Sequence, residues 1–176
     1  MMNHLITDLE KIRQLGFLNE EENFDFRAFL KGQDSDEIDQ RVHRLYKEIS
    51  AQIDCSKCAN CCNMQTPGLS KKEAEQLSGY MNMDIDDFKD QYVETDWSGQ
   101  MMLKDQPCIF LKDNACSVSH IMPEDCRNYP YLHKDDFIFR LFGVIDNYSV
   151  CPIVFNVYEA LKEELDFDPE EFDDFF

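Results

Sequence analysis

Hydrophobic residues recur at intervals of three and four along the first third of the chain, which is typical of one buried face of an α-helix. The most regular stripe predicts a helix of about four turns. Its apolar face consists of Ile38, Val42, Leu45, Ile49 and Ile53. Ser35 or Asp36 is placed to cap the start of this helix, which is expected to end at Asp54. The residues after Asp54 are therefore expected to be anchored to a packed helix.

Shorter helices are predicted on both sides of this one. The apolar face of the first consists of Leu5, Leu9, Ile12 and Leu15. Gly16 is placed to end that helix, and Asn23 is a candidate cap for a second. Further along, Ser70 and Glu73 have the spacing of a capping box, which predicts a helix to about Leu77.

Two more helices are predicted in the second half of the chain. Asp84 or Asp86 can cap a helix that continues to Tyr92. The last helix is expected to span residues 152–165, because Pro152 suits a first helical position and apolar residues follow at helical spacing.

Between these helices the pattern changes to short apolar runs separated by turn residues, which predicts short strands. These runs are residues 101–103, 108–111 and 115–118, and residues 137–145 form a longer strand candidate. Trp97 and the Phe-rich run at 137–142 are interpreted as core. The sequence thus predicts an α+β fold, a helix-rich single domain with short β-strands around a cysteine cluster.

We divide the chain into three segments. Residues 1–54 form an N-terminal helical segment that packs on the core, residues 55–165 the cysteine-cluster domain, and residues 166–176 an acidic and aromatic tail. Residues 163–176 hold eight acidic residues and no basic one, interleaved with four Phe. This end of the chain is interpreted either as a loosely packed tail or as a segment that docks on a partner.

Charge excludes several function classes. The 176 residues carry a formal net charge of −19, which argues against binding to nucleic acid or to an anionic membrane surface. The N-terminus lacks the pattern of a signal peptide, and no apolar run is long enough to span a bilayer. We therefore expect a soluble, cytoplasmic protein whose thiols stay reduced.

The cysteines are the strongest chemical signal in the chain. Four of the eight fall within eight residues, at Cys55, Cys58, Cys61 and Cys62. The others are Cys108, Cys116, Cys126 and Cys151. Such a run indicates a disulfide framework or a metal site, and a reducing compartment favours the metal site.

The spacing leaves the identity of the metal open. A C-x-x-C-x-x-C run occurs in iron–sulfur loops, and zinc sites also begin with C-x-x-C. Cys61 and Cys62 are adjacent, and neighbouring side chains tend to diverge, so we do not expect both to bind the same single ion. His4, His120 and His133 have no second ligand at motif spacing, and His43 is interpreted as a residue at the surface or the edge of the core.

Three later settings suit thiolate ligands. Cys126 follows Pro123 at a predicted helix start and precedes Arg127, which favours the thiolate. Cys151 occupies the cap position before the last predicted helix. Cys108 and Cys116 flank a predicted hairpin, and rigid turns of this kind often carry metal ligands.

The ordered motifs resemble the YkgJ-type cysteine-cluster family, also called the CxxCxxCC group. The resemblance covers roughly residues 55–160, with Met122 as a departure where similar members usually carry Arg. The motifs that carry it are Cys55-x-x-Cys58-x-x-Cys61-Cys62, residues 66–74, Pro107-Cys108, Cys116-Ser-Val118, Pro123-x-x-Cys126-Arg127-Asn-Tyr129-Pro130 and Cys151-Pro152. The resemblance implies metal chelation and a role often described as that of an iron–sulfur oxidoreductase.

All eight cysteines are accordingly predicted as metal ligands, for an iron–sulfur cluster in preference to zinc because of the triple-spaced run and the absence of histidine ligands. The predicted function is that of a redox or metal-carrying accessory protein. The alternative is a structural zinc module that presents an acidic surface to a protein partner. Enzyme status stays open; an enzyme of this kind would be an iron–sulfur-dependent oxidoreductase.

Overall fold

The computed structural model describes residues 5–173, except for the side chains of residues 56, 57, 172 and 173. It confirms a helix-rich α+β fold with a few short strands. The described residues form two compact units. The helical unit joins the residues up to Asp54 with those from Pro130 onward, and the cysteine unit runs from Cys55 to Tyr129. The three-segment division drawn from the sequence stays a prediction.

The helical unit is built on amphipathic helices. Its α-helices are Leu9–Leu18, Glu20–Leu30, Ser35–Ser50, Leu141–Tyr148, Pro152–Glu164 and Pro169–Asp173, with a 3-10 turn at Phe137–Phe139. The predicted stripe from Ile38 to Ile49 is buried along the helix Ser35–Ser50, which packs against Pro152–Glu164. Asp34, one residue before the predicted caps, accepts a hydrogen bond from the backbone N–H of Glu37 at 2.9 Å. Burial of these two apolar faces accounts for the core of the unit.

Residues 137–145 are not a strand, contrary to the sequence prediction. The run forms the 3-10 turn and then the helix Leu141–Tyr148. Its buried apolar residues include Phe137, Leu141, Val144 and Tyr148, which are spaced by three or four residues and so lie on one helical face. Phe139 and Phe142 point to solvent, so the Phe-rich run is only partly core.

The start of the chain also differs from expectation. Its first helix continues through Gly16 to Leu18, and Asn23 lies buried inside the second helix instead of capping it. Gly16 is needed for close packing, since a Cβ at this position would lie 2.6 Å from the Cβ of Ser149. A glycine that permits such contact has the same sequence signature as one that ends a helix.

Part of the C-terminal tail is packed. Phe167 contacts Phe26 and Phe29, with ring centroids 4.9 and 5.3 Å apart. The helix Pro169–Asp173 contacts the helix Glu20–Leu30. The interpretation of a loosely packed tail is therefore wrong for Phe167, whereas Phe175 and Phe176 lie outside the described residues.

The cysteine unit consists of much shorter elements. Its α-helices are Cys55–Cys58, Asn60–Met64, Lys71–Tyr80, Ile85–Tyr92 and Glu124–Asn128, with a 3-10 turn at Ser119–Ile121. Strand Met101–Leu103 pairs antiparallel with Gly68–Leu69 on one side and Val93–Thr95 on the other. A separate hairpin pairs Leu111–Lys112 with Ala115–Cys116. The predicted strand at residues 101–103 is therefore confirmed with the same bounds. The strand predicted at 115–118 is shorter, and the one predicted at 108–111 shares only Leu111 with the observed strand.

An apolar cluster forms the core of this unit. Its buried members are Leu69, Ala74, Leu77, Phe88, Val93, Leu103, Phe110 and Val118. The two longer helices begin as predicted, with the Ser70–Glu73 capping box and the Asp84 cap. Trp97 is 98% exposed on the turn after Val93–Thr95, so its interpretation as core is wrong.

Within residues 5–173 no single helix is long and apolar enough to cross a membrane. The helices Leu141–Tyr148 and Pro152–Glu164 meet the length and composition criteria only as a pair, with a bend of 115° between them.

Candidate metal centre

Two of the cysteine-bearing stretches are joined through the backbone. The N–H of Cys108 donates to the carbonyl oxygen of Cys62 at 2.8 Å. Cys116 lies on the short hairpin, where it pairs with Leu111, and the N–H of Leu111 donates to the carbonyl oxygen of Cys108 at 2.9 Å. These bonds hold Cys62, Cys108 and Cys116 in one region, although they are far apart in the sequence.

Cys126 is brought to this region by a short helix that two carboxylates hold in place. The N–H of Glu124 donates to Glu73 at 2.6 Å, and the N–H of Gly68 donates to Asp125 at 2.8 Å. Burial favours a higher pKa for Glu73, but bonds from Ser70 and from the Glu124 N–H outweigh it and lower the pKa. The capping box therefore also positions the helix Glu124–Asn128, a role that sequence reasoning missed.

The thiols of this region interact electrostatically. Burial raises the pKa of Cys108, and the nearby charges of Cys62 and Cys116 raise it further. Burial likewise raises the pKa of Cys116, with a contribution from Cys62. The pKa of Cys126 is raised to about 12 by burial and then by Cys108, Cys62, Asp125 and Cys116. Four thiols are thus close enough that a negative charge on one sulfur disfavours ionisation of others in the group. They are those of Cys62, Cys108, Cys116 and Cys126.

The pKa of Cys62 is shifted in the opposite direction, downward. A hydrogen bond from the side chain of Cys61 lowers the pKa of Cys62 to about 7, against the effect of burial. The two adjacent side chains therefore meet instead of diverging as the sequence analysis expected. At neutral pH Cys62 is the thiol of this group that most readily supplies a thiolate.

The start of the cluster lies beside the hairpin. The single-turn helix Cys55–Cys58 contacts the strand Ala115–Cys116. Ala59, in the left-handed backbone region with φ of 48°, separates this turn from the helix Asn60–Met64. Cys55 is exposed, whereas Cys58, Cys108 and Cys126 are half-buried, so the first cysteine of the run is the one with the most access to solvent among these four.

Cys151 belongs to the helical unit. It occupies the N-cap position of Pro152–Glu164, as predicted, and is buried there. Its N–H donates to the carbonyl oxygen of Asn147 at 2.8 Å. Local structure accounts for its position, and its predicted role as a ligand stays a prediction.

The donor set fits zinc or iron in kind, because clustered thiolates are the preferred ligands of both zinc and iron–sulfur groups. Within residues 5–173, however, no three His, Cys, Asp or Glu side chains converge on a common point where they could hold an ion. The same residues contain no disulfide. The structure shows a neighbourhood of thiols, and the assignment of all eight cysteines as ligands stays a prediction.

A family model described as "CxxCxxCC: Putative zinc- or iron-chelating domain" matches residues 54–144, which include seven of the eight cysteines. No curated protein and no solved structure matches the sequence.

Proposed function

Because the chain belongs to the CxxCxxCC family, we propose that its cysteine unit binds an iron–sulfur cluster or zinc and serves as a redox or metal-carrying accessory protein. The observation that carries the proposal is the neighbourhood of Cys62, Cys108, Cys116 and Cys126, which come from four separate parts of the sequence. Cys55, Cys58, Cys61 and Cys151 complete the predicted ligand set.

Electrostatics supports a cation in this neighbourhood. Charge on Cys62, Cys108 or Cys116 raises the pKa of at least one other thiol of the group, so four deprotonated sulfurs in this neighbourhood repel one another. A bound cation offsets that repulsion and holds the sulfurs as thiolates. Cys62, with a pKa of about 7, is the natural first ligand, since little free energy is needed to deprotonate it at neutral pH.

We favour iron–sulfur over zinc for the reasons that the sequence gives, the C-x-x-C-x-x-C run and the lack of histidine ligands. An iron–sulfur cluster, when bound, supplies reversible electron transfer. The chain contributes solvent access at Cys55 and a more buried set at Cys108 and Cys126, which suits exchange of electrons or metal with a partner. A reducing, cytoplasmic location is part of this proposal.

The second candidate is a structural zinc module, and a specific observation favours it. The elements that carry the thiols are only two to five residues long, and small units of this kind commonly depend on a metal to fold. In this case the acidic surface or the tail would serve as the partner-binding feature. If the protein is an enzyme, the first candidate implies an iron–sulfur-dependent oxidoreductase.

Purification without oxygen, followed by elemental analysis and a visible spectrum, separates the two candidates. The favoured proposal predicts a coloured protein with iron and acid-labile sulfide. A colourless protein with stoichiometric zinc would instead support the structural module. Protein that contains neither metal after expression in iron- and zinc-replete medium, and has disulfides instead, would contradict both.

A further inference from the structure

The helical unit contains a cavity that the proposed metal function does not use. It is lined mainly by residues of the helices Leu9–Leu18, Glu20–Leu30 and Leu141–Tyr148, and its volume is about 430 Å³. This volume is within the range of sites that hold small organic ligands or a single anchoring side chain. All its lining residues belong to the helical unit.

Two aromatic side chains of the cavity wall are exposed. Phe17 is 80% exposed and Phe24 is 41% exposed, and both line the cavity. An exposed apolar pair beside a concave site is more informative than a single surface Phe, because neither ring contributes much to the core. The wall is therefore suited to contact with the apolar body of a ligand.

The charge at the cavity is negative. Glu20 and Asp146 line it, and neither forms an ion pair with any residue in the described part of the chain. Arg13 also lines it, but its guanidinium is 3.0 Å from Glu10 on the same helix, so its charge is balanced. The site is thus complementary to a cation.

The floor of the cavity is fixed by hydrogen bonds and is itself slightly acidic. Tyr148 accepts from Asn19 at 3.1 Å and donates to Glu159 at 2.8 Å. Beneath it, Lys162 contacts both Glu22 and Glu159 at 2.8 Å, so two carboxylates share one ammonium group. This arrangement leaves one net negative charge under an ordered floor.

A buried polar group provides a second indication of a ligand. Asn23 lines the cavity and is only 1% exposed, and its Oδ1 accepts no hydrogen bond from any described residue. A buried acceptor without a donor costs free energy, which a donor on a ligand would offset.

From the aromatic wall, the uncompensated carboxylates and the buried acceptor, we propose that this cavity binds an organic cation, a protonated amine or guanidinium attached to an apolar body. The apolar body packs between Phe17 and Phe24, and the cationic group lies toward Glu20 and Asp146. The same chemistry is available from a free organic amine or from a Lys or Arg side chain of a protein partner.

The test is an NMR titration of the full-length, metal-loaded protein with phenethylamine, compared with neutral 2-phenylethanol and anionic 3-phenylpropanoate. Saturable amide shifts are expected at the cavity-lining residues with the amine, and at least tenfold weaker binding with the other two compounds. Phe17→Ser should weaken amine binding about tenfold or more, whereas Leu18→Ser should not change it. Leu18 is the matched control because it is 72% exposed and does not line the cavity.

Charge is tested separately with Asp146→Asn and the control Glu21→Gln, which is exposed outside the cavity. The first should weaken amine binding several-fold more than the second at the same ionic strength. Equal effects of the two substitutions, equal binding of the anionic compound, or shifts spread over the whole acidic surface would overturn the proposal.

The source of the cation is distinguished with a short peptide containing adjacent Leu and Lys and its Nε-acetyl-lysine counterpart. If the unmodified peptide alone binds more tightly than phenethylamine, the cavity receives a partner side chain. If only the free amine binds, it receives a small molecule. Binding of neither at millimolar concentration would reject the site.

Discussion

The two units are stabilised in different ways. In the helical unit, helices of 16 and 13 residues bury continuous apolar faces against each other. In the cysteine unit, the thiols are carried by helices of four and five residues, by a hairpin with two-residue strands and, for Cys108, by the loop before that hairpin. Helices this short are unstable alone, because nucleation costs more than the few hydrogen bonds return. The thiol-bearing segments therefore need a further stabilising interaction, whereas the helical unit does not.

A further contrast exists inside the cysteine unit. The helices Lys71–Tyr80 and Ile85–Tyr92 and the three-stranded sheet share an apolar cluster of their own. Cys108 and Cys116 pack against this cluster while Cys55 is exposed. Dependence on metal should therefore increase from the apolar cluster toward the cysteine loops.

Metal removal should have the largest effect. Stripping the protein with a chelator under reducing conditions should raise amide exchange in residues 55–65 and 105–129 by about a hundredfold or more, because metal-binding free energy in such sites is largely folding free energy. The helix Ser35–Ser50 should keep its protection. Hydrogen exchange with mass spectrometry measures both regions in one sample. Equal loss of protection in the two regions, or no loss in either, would contradict the difference in metal dependence between the two units.

Metal affinity should rise with pH. Binding requires thiolates, and the pKa values of Cys108, Cys116 and Cys126 are raised, so metal must displace their protons throughout the neutral range. Each displaced proton changes the affinity about tenfold per pH unit. The slope should fall by one proton above pH 7, where Cys62 is already ionised. Competition titrations with a chromophoric chelator at pH 6 to 9 measure this slope, and Cys126→Ser should lower it by one.

Tight helix packing in the helical unit is tested by two glycines. Gly16→Ala should destabilise the protein by about 1–3 kcal/mol, since the new Cβ would lie 2.6 Å from that of Ser149. Gly143→Ala, with no neighbouring atom within 4 Å, should instead stabilise its helix by up to about 1 kcal/mol. Thermal unfolding of the metal-loaded protein measures the change in stability, and its sign, for both variants. Similar effects of the two substitutions would mean that the contact at Gly16 is unimportant.

The smallest effect concerns Glu73. Glu73→Gln should weaken the link to Glu124 and increase exchange in the helix Glu124–Asn128, while Glu75→Gln, an exposed change in the same helix, should not. The pKa of Glu73 is lowered in the fold, so its stabilisation is present above the unfolded pKa and is lost as pH falls through the folded value. The difference between the two variants should therefore shrink below about pH 4. A difference that persists unchanged at low pH would show that charge is not its cause.

Sequence predicted the elements with strong periodicity and local capping chemistry. The stripe from Ile38 to Ile49, the capping box at Ser70 and the proline-led last helix are all present. The prediction of a strand at residues 137–145 was wrong. Aromatic residues favour strands locally, but burial of Leu141 and Val144 on one face favours a helix. Local propensity contains no information about which side chains are buried in the folded protein, and burial determined the conformation of this run.

The candidate site shows the same limit. Cysteine spacing predicted a metal-chelating cysteine cluster, and the family match agrees with that prediction. It could not predict that Cys61 and Cys62 would share a hydrogen bond, or that Glu73 would hold the helix that carries Cys126. The first depends on side-chain conformation, which spacing does not determine. The second depends on a contact between residues 51 positions apart, for which the sequence carries no local signal.

The most direct test of the account is thiol labelling with and without metal, in which iodoacetamide adducts are mapped by mass spectrometry. We predict that Cys62, Cys108, Cys116 and Cys126 react at least about tenfold more slowly in the metal-loaded protein than after metal removal, because a metal-bound thiolate is not available to the reagent. Amide exchange in the helix Ser35–Ser50, measured on the same samples, reports whether the helical unit stays folded during the experiment. Reactivity at these four cysteines that is the same with and without metal would contradict the claim that they bind it.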